Sequence, residues 1–193
     1  MALSMRVAET IHDMLVPGRR LDAGRVWEVV ELIEGRPSKL SQLIECIFDD
    51  DPAIASRAAD ALERVTRDRA QQAQRWKEAL LALLAETAEK KVRWNLALTI
   101  PRLKLSVSEC RRIAEILNTW LDDPSSIVKT AALHGMADLT RQDPESLPAV
   151  LDLLRVASRS GTPAMRARSR ILLKAIECDH RKRLRRSSMH MFD

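Results

Sequence analysis

At 193 residues the chain suffices for one compact domain or one short repeat array. Hydrophobic residues make up 46% of it, yet it has no Tyr, two Phe and five Gly, a mixture that favours helices and starves sheets, which draw on β-branched and aromatic side chains. Net charge is +5, but residues 1–154 hold 21 basic and 24 acidic side chains and residues 155–193 hold 11 and 3, so the basicity is a C-terminal property.

The longest apolar run, residues 79–85, falls far short of the ~20 residues that cross a bilayer, and Glu9 and Asp13 argue against a transit segment. Cys46, Cys110 and Cys178 are odd in number, far apart and without a C-x-x-C pair. That usage fits a reducing compartment, and a cytoplasmic address is expected.

The first 35 residues predict two helices, 4–15 and 22–34. Ser4 caps the first, whose Ile11, Met14 and Leu15 share a face before Pro17-Gly18 stops it. Asp22 caps the second, with Val26, Val29, Val30 and Ile33 as its stripe and Gly35 followed by Pro37 at its end. Residues 1–37 therefore read as an N-terminal cap pair.

From there a repeat sets in. Leu43, Leu80, Ile116 and Leu153 align in the first helix of successive pairs, and Ala55, Val92, Val128 and Met165 in the second, each column spaced 37, 36 and 37 residues apart. Two columns with one period mark stacked helix pairs: 38–67, 68–105, 106–142 and 143–178. Their helices are expected at 39–48, 52–66, 72–87, 90–103, 107–121, 124–140, 144–158 and 163–178. Asp51-Pro52, Asp123-Pro124, Asp143-Pro144 and Thr162-Pro163 each set a capping oxygen before a proline at a helix start, and Ser106 with Glu109 forms a capping-box pattern. The polar stretch 67–75 reads either as a loop or as a longer start to the fifth helix. The first turn of the basic tail, 179–193, can extend the last helix, and the remainder is expected to fray.

The second helices read ASRAADAL from Ala55, VRWNLALT from Val92, VKTAALHG from Val128 and MRARSRIL from Met165. This pattern resembles HEAT-repeat proteins, over residues 38–178 plus the looser cap. The resemblance implies a right-handed α-solenoid of about five antiparallel helix pairs whose second helices line a concave surface. It is nearly silent on function, since such folds mainly supply binding surfaces. Arg168 and Ser169 depart from the small apolar residues of the pattern.

Projected at 100° per residue, positions 1, 5, 8 and 12 of each second helix cluster on a buried side and positions 2, 3, 6 and 10 point outward. Position 2 then gives a basic row, Arg93, Lys129 and Arg166. The middle repeats add Trp94, Ala97, Pro101, Leu133 and Ala137 as an apolar centre, and the last repeat adds Arg170 and Lys174. The expected partner-binding set is Arg93, Trp94, Lys129, Leu133, Arg166, Arg170 and Lys174, with Trp94 as anchor. The same residues also admit a structural reading, in which the row pairs with turn carboxylates such as Asp123 and the apolar positions touch the next repeat. Trp27 and Trp120 are expected in the core, together with Leu83, Ile116 and Leu153.

No phosphate loop, dinucleotide fingerprint, metalloprotease motif or nucleophile elbow is present, and the four His share no ligand spacing with the Cys residues. No metal, cofactor or catalytic residue is expected. The acidic clusters 49–51 and 122–123 read as helix caps. The leading expectation is a non-catalytic module, monomeric and without membrane contact, that binds a partner protein bearing an acidic and apolar segment through the concave surface. The alternative is binding of a nucleic-acid backbone by the last repeat and Arg181, Lys182, Arg183, Arg185 and Arg186. One bacterial DNA glycosylase family is built on HEAT-like repeats. Its catalytic pattern of a Trp and a carboxylate one turn apart is matched here only by Trp27 and Glu31, in the cap.

Overall fold

A helix begins where a side-chain oxygen takes up the N–H groups that its first turn leaves over, and this chain supplies such oxygens at several of its starts. The computed structural model describes residues 9–16 and 25–189, and of residues 180–189 the backbone alone. The chain divides into two units, residues 1–104 and 105–193. Every regular element among the described residues is helical, as the composition predicts.

In the first unit, α1 (Ile11–Leu15) starts on a capping box. Thr10 Oγ1 accepts from the Asp13 N–H at 3.1 Å, and the Asp13 carboxylate accepts from the Thr10 N–H at 3.0 Å. Bonds to the Thr10 side chain and backbone hold the Asp13 carboxyl below the usual carboxylate range. The expected caps Ser4 and Asp22 and the Pro17-Gly18 stop lie outside the described residues. α2 (Val26–Gly35) buries Val26, Val29, Val30 and Ile33, the stripe expected of it. A 3-10 turn at Pro37–Lys39 leads into α3 (Leu40–Ile47). α4 (Pro52–Arg69) is capped by Asp51, which accepts from the Ala53 N–H at 2.8 Å, with Pro52 at its first position. The polar stretch 67–75 is neither a loop nor a part of α5 (Lys77–Glu86): α4 runs on to Arg69 and a 3-10 segment covers Ala70–Trp76. α6 (Lys90–Thr99) ends before the expected residue 103, because Pro101 has no N–H to continue the ladder and Ile100–Arg102 tightens into a 3-10 turn.

In the second unit, α7 (Val107–Thr119) carries the Ser106–Glu109 capping box and passes into a 3-10 turn at Trp120–Asp122. α8 (Ser126–Leu139) starts two residues later than expected, because Asp123 Oδ1 accepts the Ser125 N–H at 2.7 Å and keeps Pro124 in a turn. A 3-10 turn at Pro144–Ser146 precedes α9 (Leu147–Ser160). α10 (Pro163–Met189) corrects the expectation of a frayed tail: its backbone is helical over 27 residues. No Gly or Pro interrupts it after Pro163, and Ala, Leu, Arg and Lys cost a helix little. Between α9 and α10, Gly161 has ordinary backbone angles, yet a Cβ there would stand 2.6 Å from the Ala157 carbonyl oxygen and 2.9 Å from Met165 Cβ. Close approach keeps it a glycine.

Within each unit, second helices lie side by side: α4 packs against α2 and α6, and α8 against α10. The columns expected to be buried are buried except in α10, where Met165 at position 1 and Ile176 at position 12 are half-buried. Ala59, Leu96, Ala132 and Ser169 fill position 5, and Leu62, Thr99, Gly135 and Leu172 fill position 8. Trp120 is in the core as expected, but Trp27 is 61% exposed, since it sits about 100° round the helix from Val26. Leu83, Ile116 and Leu153 are only half-buried, and their neighbours Leu84, Leu117 and Leu154 carry the core instead.

One charged group is deep in the first unit. Glu63 of α4 is 3% exposed and is gripped by Arg67 from its own helix at 2.6 Å and by Arg102 at 2.7 Å. Arg102 also donates to the Glu63 carbonyl oxygen at 2.7 Å and to Thr66 Oγ1 at 3.2 Å, tying the end of α6 to α4. Burial alone would raise the Glu63 pKa, but the two guanidinium groups outweigh it and lower it. A depressed carboxylate pKa stabilises the fold above its unfolded value of about 4.3, and that stabilisation is lost as pH falls through the folded value. Glu63→Gln is therefore expected to cost about 3 kcal/mol near neutral pH, with the difference shrinking toward zero in acid. Urea unfolding of both proteins across the acid range measures it.

Candidate interaction surface

The row Arg93, Lys129 and Arg166 is held mainly by helix ends. Arg93 donates from Nε to the Thr87 carbonyl oxygen at 2.8 Å, at the C-cap of α5. Arg166 donates to the Gly161 carbonyl oxygen at 3.0 Å, at the C-cap of α9. Two further arginines do the same in the first unit: Arg57 reaches the Leu15 carbonyl of α1 at 2.9 Å, and Arg69 the Glu34 carbonyl in the last turn of α2 at 3.0 Å. A cation at a helix C-terminus meets unsatisfied carbonyls and the negative end of the helix dipole, worth roughly 0.3–1 kcal/mol. The position-2 arginines thus fasten the second helix of a pair to the first. Backbone oxygens at helix ends take up part of the bonding of Arg93 and Arg166. Lys129 is half-buried on α8.

The apolar centre does not face solvent. Leu133, expected on the outward stripe, is fully buried, and Ala97, Pro101 and Ala137 are buried with it. Trp94 is half-buried. α8 shows why: Ala131, Ala132, Leu133, Gly135, Met136 and Ala137 are all buried, so the helix is enclosed on nearly every side. Positions 6 and 10 point outward on an isolated helix and inward once neighbouring helices lie beside it.

In α10 the same two positions are open. Arg170 is exposed where Ala97 and Leu133 are buried, and Lys174 is exposed where Pro101 and Ala137 are buried. Position 7 completes the contrast. Ala61 is fully buried and Leu98 and His134 are half-buried, but Ile171 is 59% exposed. Arg170, Ile171, Leu173, Lys174 and Glu177 line a shallow depression along this one helix. The helical backbone beyond it carries Arg181 and Arg185 in a register that continues Arg170 and Lys174. Ile171 is the residue that projection of the sequence missed. Its signal was legible in the departure of Arg168 and Ser169 from the repeat pattern.

Other clusters have structural explanations. Asp49 Oδ1 accepts the Asp51 N–H at 2.8 Å while its other oxygen lies 3.0 Å from His12 Nε2. A cleft in the second unit lined by Ala137, Pro144, Leu147, Leu172 and Ile176 holds only about 90 Å³, well below the ~300 Å³ of a usual small-molecule site. Among the described residues no three His, Cys, Asp or Glu side chains converge as a metal site, and no helix is long and apolar enough to cross a membrane.

Cys46 and Cys110 are buried, and burial, with Asp49 and Glu45 nearby, pushes the Cys46 thiol up to about 11. Burial raises Cys110 as well, helped by Asp143. Both thiols stay protonated at neutral pH, and Cys178 is exposed on α10. A maleimide reagent at neutral pH is expected to modify Cys178 alone in the folded protein and all three thiols in denaturant, as mass spectrometry would show. Comparison with known proteins adds no assignment: the chain matches no protein-family model, and no curated protein is significantly similar to it.

Proposed function

We propose that this chain is a non-catalytic, HEAT-like α-solenoid module of the cytoplasm that binds a partner protein through the outer face of α10. The observation that carries the reading is Ile171, 59% exposed between the exposed cations Arg170 and Lys174, at positions covered in the interior repeats. An isoleucine held on a rigid helix and rimmed by charge has the composition of an interface centre with a polar rim. Its complement is a segment with an apolar side chain flanked by carboxylates. The side-by-side second helices and the period of 36–37 residues support the stacked-repeat architecture. Trp94 is half-buried and Leu133 is fully buried, so the concave centre offers less apolar surface than the end of the array.

A photoreactive residue at position 171 in living cells is expected to give a discrete protein adduct that Lys174→Glu in the same chain suppresses. Adducts of equal yield from position 115, on the exposed face of α7, would remove α10 as the site.

The continuous basic helix favours a second reading, binding to a nucleic-acid backbone. The chain has no Tyr and two Phe, which leaves little aromatic surface for base stacking, so contacts would fall on phosphates. With about five neutralised phosphates, affinity for duplex DNA of arbitrary sequence would fall on the order of 10²–10³-fold between ~50 and ~200 mM salt. Fluorescence anisotropy across that range decides it, and a flat response rules the phosphate backbone out.

A further inference from the structure

We infer that the face of α10 docks on α2 of a second copy of this chain, so that the protein self-associates head to tail. This inference rests on the reading of α10 as a protein-binding face and names its partner.

The complement to α10 lies on the first unit. α2 exposes Trp27, Glu31 and Glu34. Helical spacing sets the three within an arc of about 60°. Neither carboxylate has an ion-pair partner among the described residues, whereas the neighbouring Glu28 is taken by Arg25 at 2.7 Å. Trp27 is 61% exposed on one side and stacked on the other by the Arg64 guanidinium, 4.2 Å from the ring centroid. Arg64 is itself fixed by Asp60 at 2.9 and 3.3 Å. The indole is therefore a held platform. A rigid, half-exposed tryptophan loses little freedom on binding and is the residue type most enriched at the energetic centre of interfaces.

The two faces are complementary in character. On α10 an isoleucine stands between two cations one turn apart, and on α2 a tryptophan stands beside two carboxylates three residues apart. At 1.5 Å rise per residue Lys174 stands about 4.5 Å along its helix from Ile171, and Glu31 about 6 Å along α2 from Trp27, a mismatch that long side chains absorb. Ile171 packs on the open face of Trp27 while Lys174 meets Glu31, and Arg170 and Glu34 add opposite charge at the rim. The overall charges agree: residues 1–154 carry a balance of −3 and residues 155–193 one of +8. Two α10 faces would repel each other, as would two α2 faces, so a symmetric pairing of like faces is disfavoured. The contact joins different surfaces, which makes it heterologous and able to propagate. It departs from the monomer expected of the sequence.

The test is sedimentation velocity on the full chain and two variants, with circular dichroism to confirm that each is folded. One variant has the α10 face blocked by Ile171→Asp. The other has the α2 face blocked by Trp27→Ala, Glu31→Ala and Glu34→Ala. The wild type is expected to gain mass with concentration through the micromolar range at low salt and to lose it at high salt. Each variant alone is expected to associate at least about tenfold more weakly. Mixing the two is expected to restore a 1:1 dimer that grows no further, since each supplies the face the other lacks. A wild type that stays monomeric throughout, or association that survives in either variant, overturns the inference. If the wild type is monomeric while position 171 still cross-links a different protein, the self-partner is excluded and the α10 face stands. If no adduct forms either, both readings fall.

Discussion

Within each unit of this protein, second helices are laid side by side, and small side chains make that possible. On α4, Ala55, Ala58, Ala59 and Ala61 are buried around most of the helix, so α2, α3 and α6 can all approach it closely. α8 does the same with Ala131, Ala132, Gly135 and Ala137. A helix packed on this many sides needs little amphipathic contrast, and its outward positions belong to the core of the unit. Most other features of the molecule follow from that enclosure.

Enclosure determines what the arginines do. Arg57, Arg69, Arg93 and Arg166 all end on backbone carbonyls in the last turns or C-caps of other helices, where a guanidinium meets orphan acceptors. Arg102 ends on the buried Glu63. Such groups fasten helices to each other and have little left for a ligand. Arg170 and Lys174 on α10 are among the cations that stay exposed. Charge alone does not separate these two classes. Geometry does.

How much was legible can be followed residue by residue. The capping oxygens of Asp51 and Ser106, the buried columns at positions 5 and 8, and the all-helical composition were all open to reading, because they depend on interactions within one helix or on a simple period. The stop at Pro101 and the turn at Asp123-Pro124 shifted helix ends by a few residues, through local chemistry that a repeat alignment smooths over. Leu133 could not be placed by projecting one helix, since its burial depends on a neighbour supplied by another segment. Trp27 failed for a related reason: lying next to a stripe differs by about 100° from lying in it.

The sequence by itself determined that the chain is helical, where most helices begin, and that its charge is divided between an acidic-leaning body and a basic end. Those properties rest on propensity, capping and composition, which act within a few residues of each position. The tertiary structure decided which outward positions are surface and which are core, which arginines are spent on helix ends, and that Ile171 and Trp27 stand in solvent beside opposite charges. Burial is set by whatever lies alongside, and only packed neighbours reveal it.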